Sequence, residues 1–381
     1  MSWRKIALKD LGQIIGGGTP STKESLNFGD DYPWITPKDL SRQGRRYIDH
    51  GERGITIEGL KRSSAKLLPA GSVIVSSRAP IGLTAITTVP IATNQGCRSF
   101  VPGRDADSLF MYYLLGSMTD QMERLANGST FKEISGSTLA AIEVSVPEIE
   151  EQRAIAATLG ALDDKIESNR RTINKILALG HALYEEALAS GSRRTRVEEI
   201  AEFHNRRRIP LSSRERDVRH GNVPYYGATG IFGYVDDFLF NEVLVLVGED
   251  GSVVCDDGGP VTQYIWGKAW INNHAHPLTG RGISNELLYL ALDRSDIRPL
   301  VTGAVQPKIS MGNLKSLVVD LPLESEQARL DSMLSSLFSV LRCRSDEVRQ
   351  LEHLRDTLLP ELLSGRIRGP RACEEVKGDV A

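Results

Sequence analysis

Two stretches of the chain place apolar side chains at alternating spacings of four and three. Ile155, Leu159, Leu162, Ile166, Asn169, Ile173, Ile176, Gly180, Leu183 and Ala187 mark the first line. Leu330, Leu334, Leu337, Leu341, Arg344, Val348, Leu351, Arg355, Leu358 and Leu362 mark the second. Heptad spacing of this kind keeps one stripe of a helix facing a partner helix. A helix of about 40 residues reaches roughly 60 Å. Both lines break at the same two places, Asn169 with Gly180 and Arg344 with Arg355. The shared register predicts that the helices pack on each other rather than on separate cores. Antiparallel pairing would set two globular domains at opposite ends of a rod about a pseudo-twofold axis. The polar seam positions Asn169 and Arg344 are then expected to fix the register, at some cost in stability.

Outside these helices the pattern is short and β-like. SVIVS at 72–76 and VLVLV at 243–247 are apolar runs of buried-strand length. Residues 144–147 and 319–322 each end in proline, which closes a strand and releases the chain into a helix with acidic residues in its first turn. The pattern also repeats. GSTFKEISGSTLAAIEVSVPEIEEQ at 128–152 aligns without a gap on GAVQPKISMGNLKSLVVDLPLESEQ at 303–327, pairing Gly128 with Gly303, Ile134-Ser135 with Ile309-Ser310, and Glu151-Gln152 with Glu326-Gln327. A period this long signals duplicated domains, not a solenoid. The expected architecture is α+β. Residues 1–147 and 191–322 form two similar α/β globular domains, 148–190 and 323–365 two long antiparallel coiled-coil helices, and 366–381 a flexible tail.

Composition narrows the class. The chain has 381 residues, 40% hydrophobic and 25% charged, ordinary for a globular protein with sizeable cores. It lacks an apolar run long enough to cross a membrane, and Met1-Ser2-Trp3-Arg4-Lys5 lacks the apolar stretch expected of a signal peptide. Cys97, Cys255, Cys343 and Cys373 are widely spaced, and a reduced cytoplasm is expected.

The net charge of −3 conceals local excess. Residues 1–147 carry 17 basic against 14 acidic residues, and residues 193–219 carry nine arginines against five acids. Arginine grips phosphate bidentately and reads guanine, and amides such as Asn272 and Asn273 pair with adenine. Two linked domains suit B-DNA, which offers equivalent groove positions about 34 Å apart. Glycine-rich loops with amides are more often plain turns, so each loop alone says little.

Motifs for chemistry are missing. There is no phosphate-binding G-x-x-x-x-G-K-S/T loop. Asn222-Val223-Pro224-Tyr225 is only a degenerate match to an amino-methyltransferase motif. The acidic pairs Glu249-Asp250 and Asp256-Asp257 have no companion E-x-K for a nuclease, and His274 with His276 has no zinc-ligand spacing.

The ordered segments GGGTPST (16–22), YPWITPKDL (32–40), SSRAPIG (76–82), ATNQGC (92–97) and NGSTFKEIS (127–135) precede YYGATGIFGY (225–234), GEDGSV (248–253), INNHAH (271–276) and TGAVQPKIS (302–310). With the long helices ending at Glu361 to Gly365, the chain resembles the specificity subunits of type I restriction–modification systems. The resemblance implies a DNA-recognition scaffold without chemistry of its own. Two target-recognition domains would read the halves of a split site in double-stranded DNA. The helices would act as a ruler for the spacer and dock two modification (methyltransferase) subunits, and a restriction subunit would join them. S-adenosylmethionine, ATP and magnesium would belong to those partners, with no cofactor on this chain. The cell would be bacterial or archaeal, with no membrane involved. Candidate DNA contacts are the polar residues of the matching loops: Thr19, Ser21, Trp34, Thr36, Lys38, Arg78, Asn94, Gln95, Ser129 and Thr130 in the first domain. In the second they are Arg206, Arg207, Tyr225, Tyr226, Glu249, Asp250, Asn272, Asn273, His274, Gln306 and Lys308. The rival reading is a stand-alone DNA methyltransferase or nuclease with duplicated domains.

Overall fold

A computed structural model describes residues 3–128, 132–303 and 307–369. The chain divides into two compact units, residues 1–166 with 349–381 and residues 167–348. Their boundary falls inside the long helices rather than at helix ends, so each unit owns half of each helix.

The first unit holds a five-stranded sheet in the order Gly12–Gly16, Cys97–Pro102, Val73–Ser77, Ile81–Thr87, Tyr47–Ile48. A three-stranded sheet lines up Arg53–Ile55, Phe28–Ile35 and Ala92–Thr93. The second unit repeats the plan. Ala201–Phe203, Ala275–Gly280, Leu244–Gly248 and Thr262–Ile265 form one sheet, and Ile231–Val235, Val223–Tyr226, Lys268–Ile271 and Phe240–Asn241 the other. The apolar runs of the sequence are the central strands Val73–Ser77 and Leu244–Gly248, each one residue later than the run itself and buried along its whole length. Strands buried on both faces read as continuous apolar runs because neither face meets water.

Each unit closes with an antiparallel strand pair, Arg4–Ala7 against Glu143–Val146 and Ser192–Arg196 against Val318–Pro322. These pairs feed the helices Ile149–Ala189 and Glu324–Leu363. The repeated Glu-Gln explains itself here. Buried Gln152 donates from Nε2 to the carbonyls of Pro147 and Asp105, 3.0 Å each, and Gln327 donates to Pro322 O at 2.7 Å. Each glutamine thus ties the first helical turn back to the strand it left.

The helices run antiparallel within each unit. In the first, Arg355 Nη1 donates to Asp163 at 2.9 Å, and Ile155, Leu159 and Leu362 share one apolar core with Phe110 and Leu115. In the second, the start of one helix (Glu326, Leu330) lies beside the end of the other (Leu183, Ala187), and Phe338 packs 3.5 Å from where a Cβ on Gly180 would stand. Asn169 is buried, and its amide nitrogen has no partner among the described residues. Arg344 is half-buried and bonds Glu347 on its own helix at 2.7 Å.

Each globular domain is also tied to a long helix. Tyr113 Oη donates to Asp163 at 2.6 Å, and buried Arg46 bonds Asp164 and the Gly160 carbonyl. In the second unit Trp266 Nε1 donates to Asp346 at 3.0 Å, and Arg342 bonds Glu286 at 3.0 Å.

Candidate nucleic-acid interface

Polar loops gather where the parallel strand pairs end. In the first unit Ala92–Thr93 pairs with Trp34 and Ile35, and the chain then turns at Asn94, whose Oδ1 accepts the N–H of Gly96 at 2.9 Å. In the second unit Trp270 and Ile271 pair with Tyr225 and Tyr226, and Asn272 Oδ1 accepts the N–H of His274 at 2.7 Å. The same device recurs because a short amide satisfies a turn N–H two residues on.

What covers the turn differs. In the first unit Gly17 N–H donates to Cys97 O and Gly18 N–H to Thr93 O, at 3.3 and 2.8 Å. A Cβ on Gly17 would lie 1.9 Å from Asn94 O, and one on Gly18 2.2 Å from Ala65 N. Only glycine permits so close a backbone approach. Thr19 Oγ1 then bonds Gln95 Oε1. In the second unit an arginine side chain takes this place: Arg208 Nη1 donates to Ala275 O at 2.8 Å and Asn273 O at 3.2 Å.

The charges are also rearranged on a shared backbone. Ser77 N–H donates to Gly96 O while Ser77 O accepts from Ile134; Glu249 N–H donates to His274 O while Glu249 O accepts from Ile309. Glu249 therefore stands where Ser77 stands, and Lys308 where Glu133 stands. In the first unit Glu133 receives Arg98 at 2.9 Å and Arg78 at 3.5 Å. In the second, Glu249 receives Arg208 at 2.6 Å and Lys308 at 3.3 Å. Burial pushes the Glu249 carboxyl up, but the Arg208 hydrogen bond and its companions outweigh this and hold it below the ordinary range. Burial drives His276 below its ordinary value; its Nε2 donates to Ile309 O at 2.9 Å and its Nδ1 accepts from Asn205 at 2.7 Å.

The structure brings Thr19, Arg78, Asn94 and Gln95 into the first cluster, with Arg78 Nε 3.3 Å from where a Cβ of Gly96 would lie. Glu249, Asp250, Asn272, Asn273, His274 and Lys308 form the second, where Asp250 Oδ1 meets His274 Nδ1 at 2.5 Å. Other candidates are engaged elsewhere. Thr36 caps the helix Pro37–Gln43 through Asp39. Lys38 pairs with Glu52 at 2.8 Å and holds that carboxyl below its ordinary range. Trp34 is buried, donating to Gly18 O at 3.0 Å. Tyr225 and Tyr226 are buried too, and Tyr225 Oη accepts the N–H of Leu211 at 3.0 Å. Arg207 bonds Glu242 at 2.8 Å and covers the Phe240 ring. Ser21 and Arg206 are exposed. Ser129, Thr130 and Gln306 lie outside the described residues.

Sequence reasoning missed Arg98, Glu133 and Arg208, which build the two clusters. Arg208 had a signal, the run Arg206-Arg207-Arg208; Arg98 and Glu133 had none, because nothing local says that segments 35 residues apart meet. Among the described residues no group of three or more His, Cys, Asp or Glu side chains is placed to hold a metal. No described helix is long and apolar enough to cross a membrane.

The chain is thus a duplicated α+β unit, each copy displaying a polar turn cluster at its strand ends and holding part of each long helix. Residues 1–178 and 190–352 each match the type I restriction modification DNA specificity domain, and the chain belongs to that family. The MjaIX specificity subunit of a type I restriction enzyme from Methanocaldococcus jannaschii is 28% identical over 410 residues, covering 96% of this chain and 94% of the relative. The HindI specificity subunit from Haemophilus influenzae is 33% identical over 192 residues, covering 48% of this chain and 41% of the relative. The crystal structure of a type I S subunit from M. genitalium shares the fold, with a TM-score of 0.63 at 20% identity over 94% of this chain and 96% of that one.

Proposed function

We propose that this chain is the DNA-specificity subunit of a type I restriction–modification assembly, reading a split target with its two polar turn clusters. One observation carries the reading. The two units keep the same turn, at Asn94 and at Asn272, yet surround it with different side chains: glycines and Glu133 in one, Arg208, Glu249 and Lys308 in the other. One scaffold with two different displays reads two different half-sites.

The chain supplies recognition and no bond-making groups. Two modification subunits dock along the paired helices, and a restriction subunit joins them. S-adenosylmethionine, ATP and magnesium are held by those partners. The assembly works in the cytoplasm of a bacterium or archaeon. With a net charge of −3, the isolated chain binds DNA weakly, and the modification subunits supply much of the phosphate grip.

The test exchanges residues 191–322 for the same segment of a relative with a different target and maps methylation in the host genome. The expected result is a bipartite methylation motif in which only one half changes. A continuous motif, or a change in both halves, overturns the reading. Methyl transfer or cleavage by the purified chain alone overturns its non-catalytic part.

A further inference from the structure

The second unit carries a cleft at the edge of its polar turn cluster. It encloses about 560 Å³ and is lined by Arg216, Tyr225, Phe232, Asp250, Asn272 and His274. This volume lies within the range of small-ligand pockets. In the first unit the equivalent turn has backbone against it, since Gly17 and Thr19 pack directly on Asn94 and Gln95. In the second, the chain enters instead as the Arg208 side chain.

The lining has the chemistry of a base site. Phe232 lies on the edge strand Ile231–Val235 and is 65% exposed, with Ile231 and Tyr234 also exposed beside it. The Arg216 guanidinium carbon lies 4.6 Å from the Phe232 ring centre and 5.6 Å from that of Tyr225. An exposed ring beside a guanidinium offers a flat, cationic platform, which favours another planar π-system. Opposite chemistry lines the same cleft. Asn272 spends its Oδ1 on the His274 N–H, leaving Nδ2 as a donor with no partner among the described residues. The Asp250 carboxylate, oriented by His274 at 2.5 Å, keeps acceptor capacity. One donor beside one acceptor matches the Watson–Crick edge of a nucleobase, where a donor and an acceptor stand side by side.

A paired base shows only its groove edges, which protruding elements reach and a concave cleft does not. A base fills such a cleft only when it leaves the stack, as bases do in proteins that extrude them. We infer that the cleft beside Phe232 accepts one unstacked base from the half-site read by the second unit. This rests on the DNA-reading function proposed above. Phe232 supplies the stacking face, Arg216 its cationic flank, and Asn272 with Asp250 the edge contacts.

The experiment uses the full chain assembled with its modification subunits and duplexes carrying the methylation-defined target. 2-Aminopurine replaces each base of the second half-site in turn. Stacked in the duplex it is quenched, and on extrusion its fluorescence rises. The expected result is a rise at one position that Phe232→Ala abolishes and Phe232→Tyr keeps. Phe232→Ala also weakens binding about ten- to a hundred-fold, the loss typical of one base–aromatic stack. Leaving aside the methylated base, which the modification subunits extrude themselves, quenched fluorescence at every position overturns the inference, as does a rise that survives Phe232→Ala. Saturable binding of free adenosine, guanosine, cytidine or thymidine, with the duplex still quenched, assigns the cleft to a small molecule and equally overturns it. Absence of any sequence-specific binding in the unsubstituted assembly instead overturns the DNA-reading function itself.

Discussion

Glu249 occupies the backbone position of Ser77: each donates its N–H across to the neighbouring turn, at His274 or Gly96, and accepts from the isoleucine at 309 or 134. The carboxylate of the cluster has therefore changed sides between the two copies. In the first unit it comes from Glu133, opposite the strand end; in the second it comes from the strand end itself, with Lys308 opposite. Duplication supplied the frame, and the charges were distributed differently upon it.

That difference predicts how the first cluster responds to losing its carboxylate. Glu133→Gln releases Arg78 and Arg98 from their shared partner while retaining side-chain size. Non-specific DNA affinity of the assembly should rise, and the log–log salt dependence should steepen by roughly one to two, since each phosphate neutralised adds about 0.9 to the slope. Titrations against random-sequence DNA at several salt concentrations measure this. An unchanged slope removes Arg78 and Arg98 from the phosphate-facing surface.

Arg208 is the keystone of the second cluster. It is largely buried, pairs with Glu249 and bonds two carbonyls of the 273–275 segment. Arg208→Ala leaves a mostly buried carboxylate with Lys308 and the His276 ring beside it and should destabilise the second unit by about 3 kcal/mol. Adding Glu249→Gln should recover part of that loss, because the two residues act as one network. Urea denaturation of the single and double variants checks both statements.

The stability of the second unit should also depend on pH through His276. Its folded-state value is depressed by burial, so below about pH 6.5, the ordinary histidine value, the unfolded chain binds a proton that the folded chain refuses. Stability is complete above that value and falls as pH drops below it toward the depressed folded value. Glu249, also depressed, adds a separate loss only below about pH 4.3. Thermal melts at pH 7.5, 6.5 and 5.5 should show a decline that His276→Gln flattens; an equal decline in the variant assigns the effect elsewhere.

Asn169 sits buried in the helix pair with an amide nitrogen that has no partner among the described residues. An unmet buried donor costs about 1–3 kcal/mol, so Asn169→Leu should raise the unfolding midpoint. If its role is to define register, the variant should gain stability while losing homogeneity, seen as extra peaks in the NMR spectrum of the assembled protein. A single, sharper species would show that packing elsewhere sets the register.

Removing seven residues from each long helix shortens the pair by roughly 10 Å at 1.5 Å per residue. A helical ruler then predicts a target spacer about three base pairs shorter, at 3.4 Å per base pair, with both half-sites intact. Methylation mapping reads the result directly, and altered half-sites would contradict the ruler.

The repeat, the heptad seam and the central strands were legible from the chain because each is periodic or local. A helix buries every third or fourth residue and a doubly covered strand buries all of them, whatever surrounds them. Gln152 and Gln327 could be picked out as a repeated pair, though their role as clamps could not. The polar turn clusters were half legible. Asn94 and Asn272 carry turn chemistry in their own sequence, but their partners arrive from far along the chain. Glu133 meets Arg98 only because strand register and the Ile134–Ser77 hydrogen bond bring them together. For the same reason GGGTP is visible in sequence as a segment, while its place as the close backbone cover of Asn94 is not. Local periodicity is written by which residues avoid water; which loops meet is decided by the long-range pairing of strands, and only the folded chain sets that.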